Sequence, residues 1–327
     1  MEFGVLFGQM DLAALRDLAQ TVEGLGYHLA VLGDHFVTER AQGKFDPQQI
    51  SYDTIVSAAI ALEATRRLRV GHLVLNNLFR YPALTAQTIM TLDNLSGGRT
   101  VAGLGTGYVE AEFRMTGIGF PEMKIRLEML DEALTCMRSL WTNEQTTFIG
   151  KHYQLREAIL WPKPIQKPYP PIIIGGGGRP VLRIVARHAD VANITWEVGR
   201  SGGFRAADLT AFDENRLKER AGFLRDEAVK HGRAHDAVAI SNIPSSIAIT
   251  GSEAETRSKA ESIGRAFGMT PEQALASPML LIGTPESCAA QIRHRAQDWG
   301  VTQFIFITRS EKVMRLLAEQ VLPFAAG

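Results

Sequence analysis

The chain has 327 residues, 45% apolar and 21% charged, with 35 basic side chains balanced by 35 acidic ones. This is the composition of a soluble globular protein large enough for one big domain or two ordinary ones. It argues against a basic nucleic-acid-binding surface, and no apolar run reaches membrane-spanning length.

Strand and helix patterns alternate along the sequence. Phe3 to Phe7 reads as a strand, and Asp11 to Leu25 as a helix with Leu12, Leu15, Leu18, Ala19 and Val22 on one face and Gly26 ending it. Leu29 to Leu32 is the second strand, Asp53 to Thr65 a helix, and Leu68 to Leu75 the third strand. Pro82 to Leu95 is a helix opening on proline, Thr100 to Leu104 the fourth strand, and Pro121 to Leu140 a long amphipathic helix. A small hairpin is expected around Ile149-Gly150-Lys151-His152, and a Pro-rich segment from Trp161 to Pro171 leads into the fifth strand. Asp190 to Thr195 is the sixth strand, Asp208 to His231 a helix, and Ala237 to Thr250 contains the seventh strand. Residues 251 to about 282 read as a helical excursion. Pro285 to Trp299 is a helix, Gln303 to Thr308 the eighth strand, and Glu311 to Val321 a closing helix.

Eight such units imply parallel βαβ connections and fit a single (β/α)8 TIM barrel over residues 1–327, with insertions near 104–120, 143–170 and 251–282. A doubly wound sheet is the alternative, but it normally needs fewer strands. Cys136 and Cys288 have no Cys or His at ligand spacing and read as reduced thiols. With no signal-peptide pattern at Met1 to Phe7, the expected location is the cytoplasm.

In a barrel of this kind the chemistry sits where the strands end. The most informative end is Ile172-Ile173-Ile174 followed by Gly175 to Gly178, Arg179 and Pro180. Three β-branched residues make a buried strand. Four glycines then bare the backbone N–H groups at a helix start, which suits a phosphate. A tight turn without ligand would need only one or two of them. The pattern is neither a Walker loop nor Gly-x-Gly-x-x-Gly.

Strand two ends in Gly33-Asp34-His35-Phe36, an acid beside an imidazole that can bind, protonate or orient a ligand. Strand three ends in Asn76-Asn77, where amides suit a heterocycle edge and turn chemistry equally. Arg80 can serve as an anion ligand or as an outward salt-bridge partner. Strand four ends in Gly103-Leu104-Gly105-Thr106-Gly107-Tyr108, whose glycines allow close backbone approach by a ligand. Glu110 and Glu112 follow in what reads as a solvated loop, though either can serve as an acid. Strand six ends in Trp196 and Glu197 before the glycine-rich loop Gly199 to Gly203, and Trp196 can stack on a ligand or fill the core. Thr284 and Pro285 read as N-cap and first turn of a helix. No metal-ligand set is evident.

In this order, Gly33-Asp34-His35-Phe36, Leu95-Ser96-Gly97-Gly98-Arg99, Gly103 to Gly107, Gly175 to Gly178 and Gly283-Thr284-Pro285-Glu286 resemble the bacterial luciferase-like flavin and deazaflavin oxidoreductase superfamily over essentially the whole chain. Asp34-His35-Phe36 and Phe79-Arg80-Tyr81 resemble its coenzyme F420-dependent branch. The resemblance implies a (β/α)8 barrel with the cofactor ring over its mouth. Asp34 and His35 would then face the ring as catalytic and cofactor-binding residues. Asn76 would contact the pyrimidine side, Gly105, Thr106 and Gly107 would pass close by, and Gly176, Gly177, Gly178 and Arg179 would hold the phosphate. A non-proline cis peptide, common in the family, would fall at Leu73-Val74, behind the ring. The sugar-phosphate dehydrogenases of that branch carry a catalytic glutamate directly after Gly-Thr-Gly, whereas this chain has Tyr108. Tyr108 and Trp196 thus suggest a more apolar substrate cavity than a sugar phosphate needs.

The expected activity is an F420-dependent oxidoreductase acting on a small organic substrate, with His35 as acid/base or ring-polarising group and Asp34 orienting it or binding the ring edge. An FMN-dependent monooxygenase is the first alternative and a non-catalytic flavin-binding barrel the second; a metal-dependent hydrolase ranks last. The resemblance also implies a homodimer. The apolar face of Thr54 to Ala64 (Ile55, Ala58, Ala59, Leu62) suits that role, although packing on the barrel explains it more simply.

Overall fold

A computed structural model of the protein describes residues 1–37, 46, 48–196, 208 and 210–325. The first half carries strands β1 (Glu2–Phe7), β2 (Leu29–Leu32), β3 (Arg69–His72), β4 (Leu75–Asn76), β5 (Thr100–Gly105), β6 (Thr146–Ile149) and β7 (Gln154–Ala158). The second half carries β8 (Ile172–Gly175), β9 (Val191–Asn193), β10 (Ala239–Asn242), β11 (Ser246–Ile249), β12 (Leu280–Gly283) and β13 (Val301–Ile307). Between them lie α1 (Leu12–Gly24), α2 (Thr54–Ala64), α3 (Pro82–Ser96), α4 (Glu110–Thr116), α5 (Met123–Thr142) and α6 (Arg179–His188). Then come α7 (Glu214–Lys230), α8 (Glu253–Ala266), α9 (Pro271–Ala276) and α10 (Pro285–Trp299).

The expected barrel is present. β1, β2, β3, β5, β8, β9, β10 and β13 pair in parallel around a closed ring, sealed by β1 against β13 and β3 against β5. Glu2 lies opposite Gln303, and Val70 opposite Thr100. Side chains fill the barrel inside and helices cover it outside, so Leu29 to Leu32 and Ile172 to Ile174 are buried on both faces. Phe3, Phe304 and Phe306 cluster in the core, with ring centroids 6.1 and 6.4 Å from Phe3.

Local signals set the helix boundaries. The Asp11 carboxylate accepts from the Ala13 and Ala14 N–H groups, and the buried face of α1 is Leu15, Ala19 and Val22. Thr284 caps α10, with Pro285 in its first turn. The face of α2 is turned onto the barrel: Ala58 and Leu62 are fully buried, while Ile55 and Ala59 are half-buried against the core.

Three expectations need correction. The third strand is interrupted: β3 and β4 are separate pieces with a cis Leu73–Val74 peptide between them, at the expected position. The segment read as holding one strand, Ala237 to Thr250, divides into β10 in the barrel and β11 outside it. There β11 pairs with β12, a strand within the excursion expected to be helical. Glu110 and Glu112 are not in a solvated loop: both lie on α4, and Glu112 is 2% exposed. Glu197 and the loop Gly199 to Gly203 lie outside the described residues. No described helix is long and apolar enough to cross a membrane.

Candidate active site

β2, β4, β5, β8 and β9 all run the same way, so the segments after Leu32, Asn76, Gly105, Gly175 and Asn193 gather at one rim. Asp34 is nearly buried there. Its carboxylate accepts from the Asn76 N–H at 2.9 Å and from both guanidinium nitrogens of Arg80, at 2.6 and 3.3 Å. Arg80 also reaches Asp53, the N-cap of α2, at 3.3 Å. Arg80 therefore points inward, and the charge of Asp34 raises its already high basicity against the cost of burial. Among the described residues, the bonds of Asp34 lock strands two and three together and do not orient His35.

Glu112 takes that orienting place. Its two carboxylate oxygens lie 3.2 and 3.3 Å from Nδ1 of His35, and one of them also accepts the Val37 N–H at 3.2 Å. Burial alone would depress the imidazole. The hydrogen bond and charge of Glu112, with the charge of Asp34 behind them, outweigh it and hold His35 above its ordinary value. Tyr108 meets His35 edge-on, with centroids 5.8 Å apart and planes at 85°. Tyr108 is half open at the rim, and the arrangement can present a proton beside an aromatic wall.

Behind this rim Val74 projects toward both Gly105 and Gly175, and a Cβ on Gly105 would collide with its Cγ2. Gly107, at φ +71°, sits against the side chain of Asn76, which leaves no room for a larger residue there. Arg126 of α5 donates to the Gly107 carbonyl and stacks on Phe120, 4.1 Å from its centroid. The Gly105–Thr106–Gly107 turn is thus held from both sides. Leu73 is half-buried and packs on the core.

The glycine run opens onto a cavity of about 110 Å³ lined by Gly177, Thr195, Phe212, Arg216 and Arg220 among others. Gly177 passes so close to the Thr195 carbonyl that a Cβ would overlap it. Thr195 Oγ1 is buried with no hydrogen-bond partner among the described residues. The Gly176 N–H is spent on the Asn193 carbonyl at 3.0 Å, so the run offers the cavity Gly177 rather than all its glycines. That backbone ahead of α6, a hydroxyl and two guanidinium groups suit an anion of phosphate type, with the Asp208 carboxylate on the same wall acting against it. Gly176 and Gly178 flank this wall, but Arg179 does not line it. Arg179 is bonded to Glu219 at 2.6 Å and lies over the Phe223 ring, 5.0 Å from its centroid.

The structure thus brings together His35, Asp34, Asn76, Gly107 and Tyr108, and it gathers Gly177 with Thr195. Trp196 is half-buried against the core. Sequence reasoning missed Arg216 and Arg220, whose i,i+4 spacing on α7 was the available signal. It named Glu112 as a possible acid but missed its place beside His35, because a seven-residue helix with no capping side chain reads as loop. Among the described residues, no group of His, Cys, Asp and Glu could hold a metal ion.

The chain matches the luciferase-like monooxygenase family over residues 2–303. It is 27% identical to an F420-dependent glucose-6-phosphate dehydrogenase of Amycolatopsis mediterranei, across 97% of this chain and 95% of that protein. The F420-dependent tetrahydromethanopterin reductase from Methanopyrus kandleri superposes with a TM-score of 0.76 at 19% identity, covering 98% of each chain. An F420-dependent secondary alcohol dehydrogenase, solved with an F420–acetone adduct, superposes with a TM-score of 0.78 at 18% identity, covering 99% of this chain and 98% of that one. At these identities the two structures speak to the fold.

Proposed function

The chain belongs to the luciferase-like monooxygenase family, and on that premise we propose that it is an F420-dependent oxidoreductase acting on a small, largely apolar organic substrate. The observation that carries this reading is the anion cavity at Gly177, on the same rim as His35. Its Thr195 hydroxyl, without a partner among the described residues, its glycine with no room for a side chain and its two arginines fit the phosphate of the cofactor tail. The relative's name supplies the deazaflavin.

Gly177, Thr195, Arg216 and Arg220 would hold the tail phosphate. Val74, Asn76 and the Gly105 to Gly107 turn would back and edge the ring. When bound, the deazaflavin supplies two electrons as a hydride at its C5. His35 holds the proton that a reacting oxygen or nitrogen exchanges, while Asp34 and Arg80 keep the rim in register. Tyr108, and Trp196 with it, would line the space for substrate. The sugar phosphate of the relative does not carry over, because Tyr108 stands where that branch has its carboxylate.

Titration of the apo-protein with F420 and with FMN, followed by tryptophan fluorescence, tests the reading. Binding of F420 at least about tenfold tighter than FMN is expected, a difference of about 1.4 kcal/mol. FMN binding far tighter than F420 would replace this reading with a flavin-dependent monooxygenase, and binding of neither would end it.

A further inference from the structure

We propose that Glu112 is a positioning residue that holds His35 as an imidazolium with Nδ1–H on its carboxylate, so that His35 gives a proton from Nε2 and the enzyme works as a reductase. The inference rests on the oxidoreductase reading for its substrate side, but its geometry stands apart from any cofactor. A carboxylate beside one imidazole nitrogen fixes the ring and settles which nitrogen is left for chemistry. Here both Glu112 oxygens flank Nδ1 at 3.2 and 3.3 Å, which leaves Nε2 as the nitrogen available to a ligand.

Glu112 is itself held. The Val37 N–H bonds one of its oxygens at 3.2 Å, and only 2% of the residue reaches solvent, so water screens its charge little. Among the described residues, Asp34 adds a second negative charge near His35, and the Arg80 guanidinium that bonds it acts in the opposite sense. Asp34, on the same rim segment, is anionic and shared with Arg80, which bonds it at 2.6 Å. Tyr108 offers its ring edge from the loop after β5. The raised basicity of the imidazole agrees with this balance.

An imidazolium has no lone pair and cannot take a proton from an alcohol, but it can give one. The substrate class that fits is a ketone, an imine or a conjugated enone. Its electrophilic carbon takes the hydride given up by the reduced deazaflavin, the π pair moves to the heteroatom or along the conjugated chain, and the atom that receives the pair takes the Nε2 proton. The substrate is reduced by two electrons and the coenzyme oxidised by two. His35 is left neutral, still hydrogen-bonded to Glu112, and regains its proton from water.

The test is a 15N-histidine NMR titration of the whole chain, which reads both charge and tautomer of His35. Wild type is expected to show His35 as imidazolium at pH 7, with a midpoint above the ordinary 6.5. Glu112→Gln keeps the size and an acceptor for the Val37 N–H while removing the charge. It is expected to lower the midpoint by about one unit or more, a tenfold loss of proton affinity, and to move the neutral-state proton to Nε2. F420 affinity should stay within about threefold. A neutral His35 in wild type at pH 7 overturns the proposal without any variant, as does an unchanged midpoint in Glu112→Gln. Failure of F420 to bind would sink the proposed function and leave this titration unaffected, so the two failures are distinguishable.

Discussion

Arg80 clamps the carboxylate of Asp34 with two nitrogens, Nη1 at 2.6 Å from Oδ2 and Nη2 at 3.3 Å from Oδ1. Only 7% of the Asp34 side chain and 20% of the Arg80 side chain are exposed, so neither charge has much water to fall back on. Arg80→Ala strands a buried carboxylate on one backbone N–H, and the expected loss is about 3 kcal/mol of unfolding free energy in urea at pH 7. Adding Asp34→Asn to Arg80→Ala removes the stranded charge and should recover part of it. A single-variant cost below about 1 kcal/mol would show that the clamp does not hold the rim.

His35→Ala should lower turnover by about a hundredfold or more while F420 affinity stays within about threefold, since a proton donor acts in the transition state and contributes little to ground-state binding. Stopped-flow rates and equilibrium titration on the same preparation separate the two. Equal losses in both would make His35 a binding residue only.

The proposed phosphate cavity separates Arg216 and Arg220, which line it, from Arg179, which the family resemblance put there. Arg216→Ala and Arg220→Ala should each weaken F420 binding about tenfold or more, as expected for a lost charge-assisted hydrogen bond. Rates at saturating cofactor should change little. Arg179→Ala should leave affinity within about twofold, because Arg179 does not line the cavity; it shares Glu219 with Arg216, which does. Isothermal titration of the three variants decides it, and a large loss confined to Arg179→Ala would move the phosphate out of the cavity.

His72 sets an acid limit on stability. Its Nε2 lies 3.3 Å from the Thr54 carbonyl, which can only accept, so Nε2 carries the proton. Its Nδ1 is buried with no partner among the described residues. Burial pushes the imidazole down to about 4 from 6.5. With the folded value depressed, the unfolded chain binds the proton first. The stabilisation is complete above pH 6.5 and is lost as pH falls toward 4, by about 3 kcal/mol at 1.4 kcal/mol per unit. Urea unfolding between pH 7.5 and 4 should show this slope in wild type. His72→Gln, which can still donate to Thr54 and does not titrate, should flatten it. A parallel slope in both proteins would assign the acid loss to other groups.

Most of the fold was legible because its signals are local. Alternating patterns, the Asp11 and Thr284 caps and the glycines ending α1 and β8 each act within a few residues, and the barrel follows from eight such units. The β11–β12 pair was not legible, since Ser246–Ile249 looks like barrel strand until the closed ring leaves it no place. The glycines around Gly177 marked from sequence the wall of the cavity proposed for the phosphate, and the cis peptide fell at Leu73–Val74, where the family resemblance put it.

The sequence by itself determined which segments meet at the rim and which side chains there have chemistry to offer: His35, Asp34, Asn76, Tyr108 and the bare glycines. Only the tertiary structure decided how they are paired. Glu112 reaches His35 from 77 positions away and Arg80 reaches Asp34 from 46, separations over which no periodicity or capping rule carries information. The sequence paired His35 with its neighbour Asp34 and left Glu112 in a loop. Packing gave Asp34 to Arg80 and Glu112 to His35, because a buried charge is stable only beside the partner that the closed barrel brings to it.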